Sequence, residues 1–407
     1  MFAITPPDDV LPKGPFARMP AMKPRSVVLL SLLALAPCAR AVPFSQSATG
    51  FVRRINLGIN IGNTLDAPSG NEIEWGARPI TRSLIRLYKA KGLNAVRVPV
   101  TWRAHFDVDD PKHEIRPAFL DRVQDVVDLC LDEGMVVFLN LHHDGGGGEW
   151  PRDWLTIDGA NEDRANAILA DLWRQIAMRF RAYGENLVFE AFNEVRKAKG
   201  HPGEDGQQAG KDDWSGNAFY CKTVNRYAKT FYETVRRTGG NNARRYLLIP
   251  TYAATDSEES CRSWAHPNPS DNHVMVSIHA YEPGWFCLWG EETRYDREKF
   301  TKRFDEVFPF LKATFSDRGV PVVIGEVAAD RRYFDAAKTE PNDAERVKWA
   351  KHYGFESARY GMPCILWESG GANHMGLVDR NRIEWTHPAI VDGFLAGVKA
   401  GRRARHK

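Results

Sequence analysis

The 407-residue chain carries 55 Lys and Arg against 52 Asp and Glu, a formal charge of +3, with 43% hydrophobic and 26% charged residues. That balance excludes intrinsic disorder, collagen-like repetition and a polytopic membrane protein, and it suits a globular chain able to build a large core. Six cysteines, none in a Cys-x-x-Cys pair, exclude a disulfide scaffold and give a zinc ribbon no support.

Residues 1–21 are Pro-rich and read as a leader or mis-assigned start. After Met22 come Lys23 and Arg25, the apolar run 27–36 (VVLLSLLALA) and Ala39-Arg40-Ala41. This order of charged, apolar and small residues predicts a secretory signal peptide over 22–41. The apolar run falls short of the roughly 17–25 residues that a membrane span needs. Removing residues 1–41 takes away Lys13, Arg18, Lys23, Arg25 and Arg40 but only Asp8 and Asp9, so the remaining chain is formally neutral. Nucleic acid is therefore not an expected partner.

From about residue 50 a short apolar run ending in polar residues recurs eight times, with amphipathic stretches between. The first is 55–62 (INLGINIG). The second, 95–100 (AVRVPV), sets Arg97 in an apolar strand, where its charge needs an acid such as Glu326. A helical pattern follows over 120–131. The third run, 136–142 (VVFLNLH), ends at His142, and alternation points the adjacent His143 to the opposite face. The glycines at 145–148 lack a following Gly-Lys-Ser/Thr and read as a loop, not a phosphate cradle. After a helical pattern over 167–180, the fourth run, 187–194, ends in Asn193-Glu194, and a second glycine-rich loop covers about 200–216. The fifth is 246–251. The sixth, 274–281, points His279 and Tyr281 to one side. A helix is predicted over 300–315; the seventh run, 320–326, ends at Glu326, and the eighth, 364–368, presents Trp367. Residues 399–407 read as a solvated basic tail.

Runs of five to eight β-branched and aromatic residues suit strands buried on both faces. Eight strand–helix units without a composition break predict the α/β class and a single parallel (β/α)8 TIM barrel over 42–398; a doubly wound open sheet would not need eight units. Cys130 and Cys364 are expected as buried thiols, and one pair among Cys221, Cys261 and Cys287 as a disulfide.

A barrel of this kind builds its active site from the C-terminal strand ends. Glu194 and Glu326 both close apolar strands, where an unpartnered carboxylate is costly, so mere solvation explains them poorly. Two carboxyl groups flanking a bond are what glycoside hydrolysis requires, one protonated to donate to the leaving oxygen and one ionised. Around them, Tyr281 can hydrogen-bond a nucleophile, His279 can orient an acid or the substrate, Asn193 can donate to a sugar 2-hydroxyl, and Trp367 offers a sugar platform. Trp75, Trp102, Trp150, Trp154, Trp214, Trp285 and Trp289 fall in loops after strands, where rings either stack on sugars or pack the loops down. No metal is expected: His142-His143-Asp144 has no accompanying motif, and strand one ends without a His-x-His pair.

Arg97, His142, Asn193-Glu194, His279, Tyr281, Glu326 and Trp367 together resemble, in order and strand placement, the active-site signature of glycoside hydrolase family five, the cellulase family, across roughly residues 50–396. The resemblance implies Glu194 as acid/base and Glu326 as nucleophile in a retaining double displacement, with carboxyl groups about 5–5.5 Å apart rather than the roughly 6.5–9.5 Å of inverting enzymes. The segments 61–66 (IGNTLD), Glu74-Trp75-Gly76 and 279–283 (HAYEP) are similar to endoglucanase members, and set His143, Asn63, Trp75 and Trp285 beside Trp367 as substrate-binding residues. One departure stands out: many such relatives read Trp-Asp-Asn-Gly after strand eight, and this chain reads Trp367-Glu368-Ser369-Gly370. The expected protein is a secreted, cofactor-free, monomeric endo-β-1,4-glucanase whose partner is an uncharged β-glucan. Xyloglucan, mixed-linkage glucan and mannan remain alternative substrates. A non-catalytic glycan-binding barrel and a metal-dependent hydrolase are alternatives of other classes.

Overall fold

The computed structural model describes residues 44 and 46–405, apart from 146–152, 158, 160, 198–213, 215, 336 and 373. The leader and signal-peptide expectations, Trp150 and most of the two glycine-rich loops lie outside the described residues.

Each expected run supplies one strand: β1 Gly58–Asn60, β2 Ala95–Val98, β3 Val136–Leu139, β4 Leu187–Glu190, β5 Leu247–Pro250, β6 Val274–His279, β7 Val322–Val327 and β8 Cys364–Leu366. They close in sequence order into one parallel barrel, β8 pairing back onto β1. Most strands are shorter than their runs because the last residues of each leave the ladder to form the rim. Glu194 thus sits beyond the end of β4.

The helices are α1 Ala48–Val52, α2 Arg82–Lys91, α3 Pro117–Asp132, α4 Glu162–Arg179, α5 Ala218–Arg237, α6 Glu258–Ser263, α7 Gly284–Cys287, α8 Arg297–Thr314, α9 Asp343–Arg359 and α10 Pro388–Arg405. Local chemistry sets their ends. In α2 the Thr81 hydroxyl caps Leu84 N–H, and Gly92 at φ 103° ends the helix after Lys89 and Lys91, whose charges complement the dipole.

Helix α10 continues through the residues expected as a basic tail. Its face of Gly393, Gly397 and Gly401 lies on the backbone of α9; a Cβ on Gly397 would stand 2.2 Å from Lys351 O. Arg402 then reaches across the barrel floor to donate 2.6 Å to Asn56 Oδ1. The tail expectation fails because a stripe of small residues extends the helix contact into a segment judged by charge alone. The disulfide expectation fails as well: Cys261 Sγ donates to Thr255 O at 3.7 Å and Cys287 Sγ to Glu282 O at 3.3 Å, both as free thiols, which leaves no pair among the three candidates.

Inside the barrel the side chains form layers. The lowest is apolar, from Ala95, Val136, Phe138, Val188, Leu248, Met275, Val323 and Ile365, and is plugged from below by Phe51 and Val52 of α1 with Phe44. Two residues on, period-two alternation turns Asn60, Arg97, Glu190 and Ser277 into the same interior. In β7 the register against β6 slips by one residue, so that His279 pairs with Glu326 and Gly325 is the extra residue. Strict alternation from Val323 would point Gly325 inward and Glu326 outward; the irregularity turns Glu326 back to the axis. A Cβ on Gly325 would lie 2.7 Å from Ser277 Oγ and 3.2 Å from the His279 ring. Gly325→Ala is therefore expected to displace His279 and lower kcat by about a hundredfold while the barrel still folds, checked by kinetics beside far-UV circular dichroism.

Candidate active site

The site is organised by Arg97, which β2 delivers to the barrel axis fully buried. Its Nε donates 2.6 Å to Glu190 Oε2. Nη1 donates 2.6 Å to Glu326 Oε1 and 2.9 Å to Asn60 Oδ1, and Nη2 donates 2.8 Å to Asn193 Oδ1. Burial opposes the guanidinium charge, but Glu190 and Glu326 more than offset it, so Arg97 holds its proton more tightly than usual. The bond to Asn193 fixes the amide so that its nitrogen is turned away from Arg97. Ser277 Oγ donates 2.8 Å to the other Glu190 oxygen, completing that carboxylate.

Glu326 receives two donors, Arg97 on Oε1 and the Tyr281 hydroxyl on Oε2 at 2.7 Å. Across from it, Glu194 Oε1 lies 2.7 Å from His279 Nδ1, and that nitrogen is 3.7 Å from Glu326 Oε2. One oxygen from each carboxylate and one nitrogen of His279 all lie within 4.8 Å of one another. His279 Nε2 is buried without a hydrogen-bond partner, which leaves Nδ1 as the nitrogen that works between the two acids.

Protonation follows from this crowding. Burial lowers the proton affinity of His279, yet the charge of Glu326 and the hydrogen bond and charge of Glu194 raise it overall. Burial raises Glu194, but the His279 hydrogen bond and charge, with Arg196 and His143 behind them, bring it down overall. Burial also raises Glu326; His279 and Arg97 pull it back, the Glu194 charge adds to burial, and the direction is upward. These directions are the reverse of an acid at Glu194 and an anion at Glu326. The geometry favours the other distribution once a proton passes from His279 Nδ1 to Glu194 Oε1 along their 2.7 Å hydrogen bond, because both Glu326 oxygens then keep donors suited to an anion. The Glu194–His279–Glu326 cluster therefore titrates as a unit and not as three separate sites.

Several of the residues expected to contact sugar group around the His142–His143 pair. Trp367 is half-buried, stacked parallel to the His142 ring at 5.7 Å and 7°. His142 and His143 do not point to opposite faces as alternation suggested; their rings meet edge-on at 4.5 Å. The chain has already left β3 at Leu139, so strand alternation no longer governs them. Burial keeps both neutral, His143 lowered to about 4 and His142 well below its ordinary value. Trp75, partly exposed, meets His143 edge-on at 6.1 Å, and Asn63 sits at the rim with φ 59° in a turn held by Asp66. Trp285 is packed edge-on to Phe300 of α8, with the Lys299 ammonium 5.2 Å over its ring. Trp102 and Trp154 are buried, their indole nitrogens donating to Asn140 O and Asp144. Trp214 and Trp289 are exposed.

Among the described residues two groups could offer ligands to a cation: Glu194–His279–Glu326 and Asp66–His142–His143. Both are knitted by their own hydrogen bonds. Asp66 accepts from the amides of Asn63 and Thr64, and His142 Nδ1 faces Asn140 Nδ2 at 3.2 Å. Sequence reasoning passed over Glu190, Asn60 and Ser277, which complete the shell of Arg97. The signal for Glu190 was a charge inside the apolar LVFE of β4, the same cue that identified Arg97.

With this geometry in hand, the comparisons with known proteins agree. The family model for cellulase, glycosyl hydrolase family 5, matches residues 60–373. Endoglucanase A of Ruminococcus albus is 33% identical, covering 87% of this chain and 93% of its own. The cellulase/esterase CelE of Acetivibrio thermocellus is 35% identical over 86% of this chain, and the match spans only 40% of CelE. Among solved structures, ZgEngAGH5_4 in complex with a cellotriose superposes with TM-score 0.76 at 29% identity, covering 86% of this chain and 98% of that one. A broad-specificity endoglucanase from Ruminococcus champanellensis with bound cellotriose gives 0.75 at 32% identity, covering 86% and 98%.

Proposed function

The chain belongs to glycosyl hydrolase family 5, the cellulases, and from that premise we propose that it is a secreted retaining endo-β-glycanase cleaving β-1,4-linked glucan in the cleft above Arg97. The observation that carries this reading is the approach of Glu194 and Glu326, with oxygens no more than 4.8 Å apart and His279 between them. Inverting enzymes hold their carboxyl groups roughly 6.5–9.5 Å apart to admit a water beside the sugar, so the shorter approach favours direct attack by a carboxylate.

In the first step the Glu326 carboxylate adds to the anomeric carbon while the bond to the leaving oxygen breaks, and that oxygen takes the proton from Glu194. In the second, Glu194 accepts a proton from water, the hydroxide equivalent adds to the anomeric carbon, and the bond to Glu326 breaks. Arg97 and Tyr281 stabilise Glu326 whenever it is charged, Asn193 offers its amide nitrogen to the 2-hydroxyl, and Trp367, His142, His143, Asn63 and Trp75 line the sugar binding side. Xyloglucan and mixed-linkage glucan fit the same machinery; a solved relative, XEG5A, is described as xyloglucan-specific. Hydrolysis of cellotetraose followed by proton NMR should give the β-anomer first; an initial α-anomer overturns retention.

The shared proton gives a pH signature. His279 holds its proton above its usual 6.5, so the cluster stays singly protonated until pH rises through that raised value, and then the acid is lost. The alkaline limb of kcat/KM is therefore expected above pH 6.5 and not in the ordinary carboxylate range, as read from a pH–rate profile on cellotetraose. A limb at or below that value would show that His279 does not store the proton.

A further inference from the structure

Directly after Trp367, where the sequence departs from the pattern of many relatives, Glu368 is completely buried. Its Oε1 accepts from Gly370 N at 2.6 Å and Leu377 N at 3.2 Å. Its Oε2 accepts from Arg380 Nε at 3.0 Å, and the Tyr88 hydroxyl approaches at 3.4 Å. Arg380 stands just beyond β9 (Val378–Asp379), which pairs with β10 (Glu384–Trp385) as a small hairpin against Tyr88 of α2. The same guanidinium donates 2.7 Å to Gly62 O at the end of β1 and 3.0 Å to Glu368 O. Gly62 N in turn donates 3.0 Å to Glu368 O. The Trp367 ring lies so close on Gly62 that an added Cβ would be 2.7 Å from it.

Three pieces of chain, the ends of β1 and β8 and the hairpin, therefore meet at one ion pair directly behind the indole. Among the described residues between β8 and β9 no helix or strand fixes the chain, and Gly370 and Gly371 take left-handed φ of 82° and 79°. A buried ion pair adds little stability compared with an apolar contact of equal volume, so its presence calls for a geometric reason. Arg supplies one, since its planar fork can hold the carboxylate and two backbone carbonyls at fixed angles, and an ammonium cannot.

We propose that Glu368 and Arg380 are positioning residues for Trp367, fixing the plane of the indole on which the sugar beside Glu326 rests and thereby setting turnover. The inference depends on Trp367 being the sugar platform of the proposed hydrolase. It does not depend on which β-glucan is cut. The pair touches no substrate; it acts through the ring.

The test compares Arg380→Ala, Arg380→Lys, Glu368→Gln and Trp367→Ala on cellotetraose and on β-glucan, with thermal melts to identify folded variants. Arg380→Ala and Glu368→Gln are expected to lose kcat by about tenfold to a hundredfold with KM within about twofold, since a small displacement of a positioning group acts on the transition state. Arg380→Lys should not recover it. Glu368→Gln is nearly isosteric and keeps the measurement open where Arg380→Ala does not fold. Wild-type kcat in a folded pair variant, or a loss confined to KM, overturns the positioning role. Undiminished turnover in Trp367→Ala overturns the platform reading beneath it, and the two failures are distinguishable because they occur in different variants.

Discussion

Glu326→Gly is expected to lose about 10⁴-fold or more in kcat on β-glucan and to regain turnover when azide is added, with an α-glycosyl azide as product. The size follows from removing the group that forms the covalent bond, while binding and acid assistance stay in place. The fold should survive: Arg97 keeps Glu190 at 2.6 Å, Asn60 and Asn193, so its charge is not left bare. The cavity opened lies between Arg97 Nη1 and the Tyr281 hydroxyl, the two donors that held the carboxylate. A small anion can occupy it and attack the anomeric carbon from the face Glu326 used. Because the glycosyl azide is not hydrolysed onward, one inversion remains visible where the native enzyme makes two. Near-native turnover of Glu326→Gly without azide, or a β-glycosyl azide, would remove Glu326 from the nucleophile's role.

The barrel and the pair of acids were legible in the sequence for one reason: burial makes polar residues in apolar strands conspicuous. Eight runs gave eight strands, and Arg97, Glu194, His279, Tyr281 and Glu326 meet in one cluster, with Trp367 stacked on His142. Glu190 carried the same cue and was overlooked because it lies four residues before a more obvious carboxylate. Where reasoning from strand period failed, the chain had stopped being a strand. His142 and His143 turn to the same side because β3 has ended, and Glu326 points inward only because Gly325 breaks the register of β7. Composition misled at the C-terminus, where glycine spacing in α10 outweighs the basic charge. Composition left open whether a loop indole binds sugar or packs, and Trp102 and Trp154 are buried as packing residues.

Glu194→Ala should separate the two chemical steps. Loss of a general acid costs about 10²–10⁴-fold when the leaving group is a poor one, so hydrolysis of β-glucan should fall within that range. An aryl cellobioside whose phenolate leaves without protonation needs no acid in the first step; its burst of phenolate should persist at near-native rate, followed by slow turnover as the covalent intermediate waits for an activated water. Azide should accelerate that second step and give a β-glycosyl azide, the opposite anomer to the product of Glu326→Gly. Structurally the variant is mild. His279 loses its 2.7 Å partner but still faces Glu326 at 3.7 Å, and Arg97 is untouched. Removal of one negative charge also relieves Glu326, which the Glu194 carboxylate pushes upward. The acid limb of the burst phase should accordingly move to lower pH, because Glu326 then ionises more readily. If the aryl cellobioside slowed as much as the polysaccharide, Glu194 would be serving sugar binding or site integrity, and the acid would have to be sought elsewhere in the cluster.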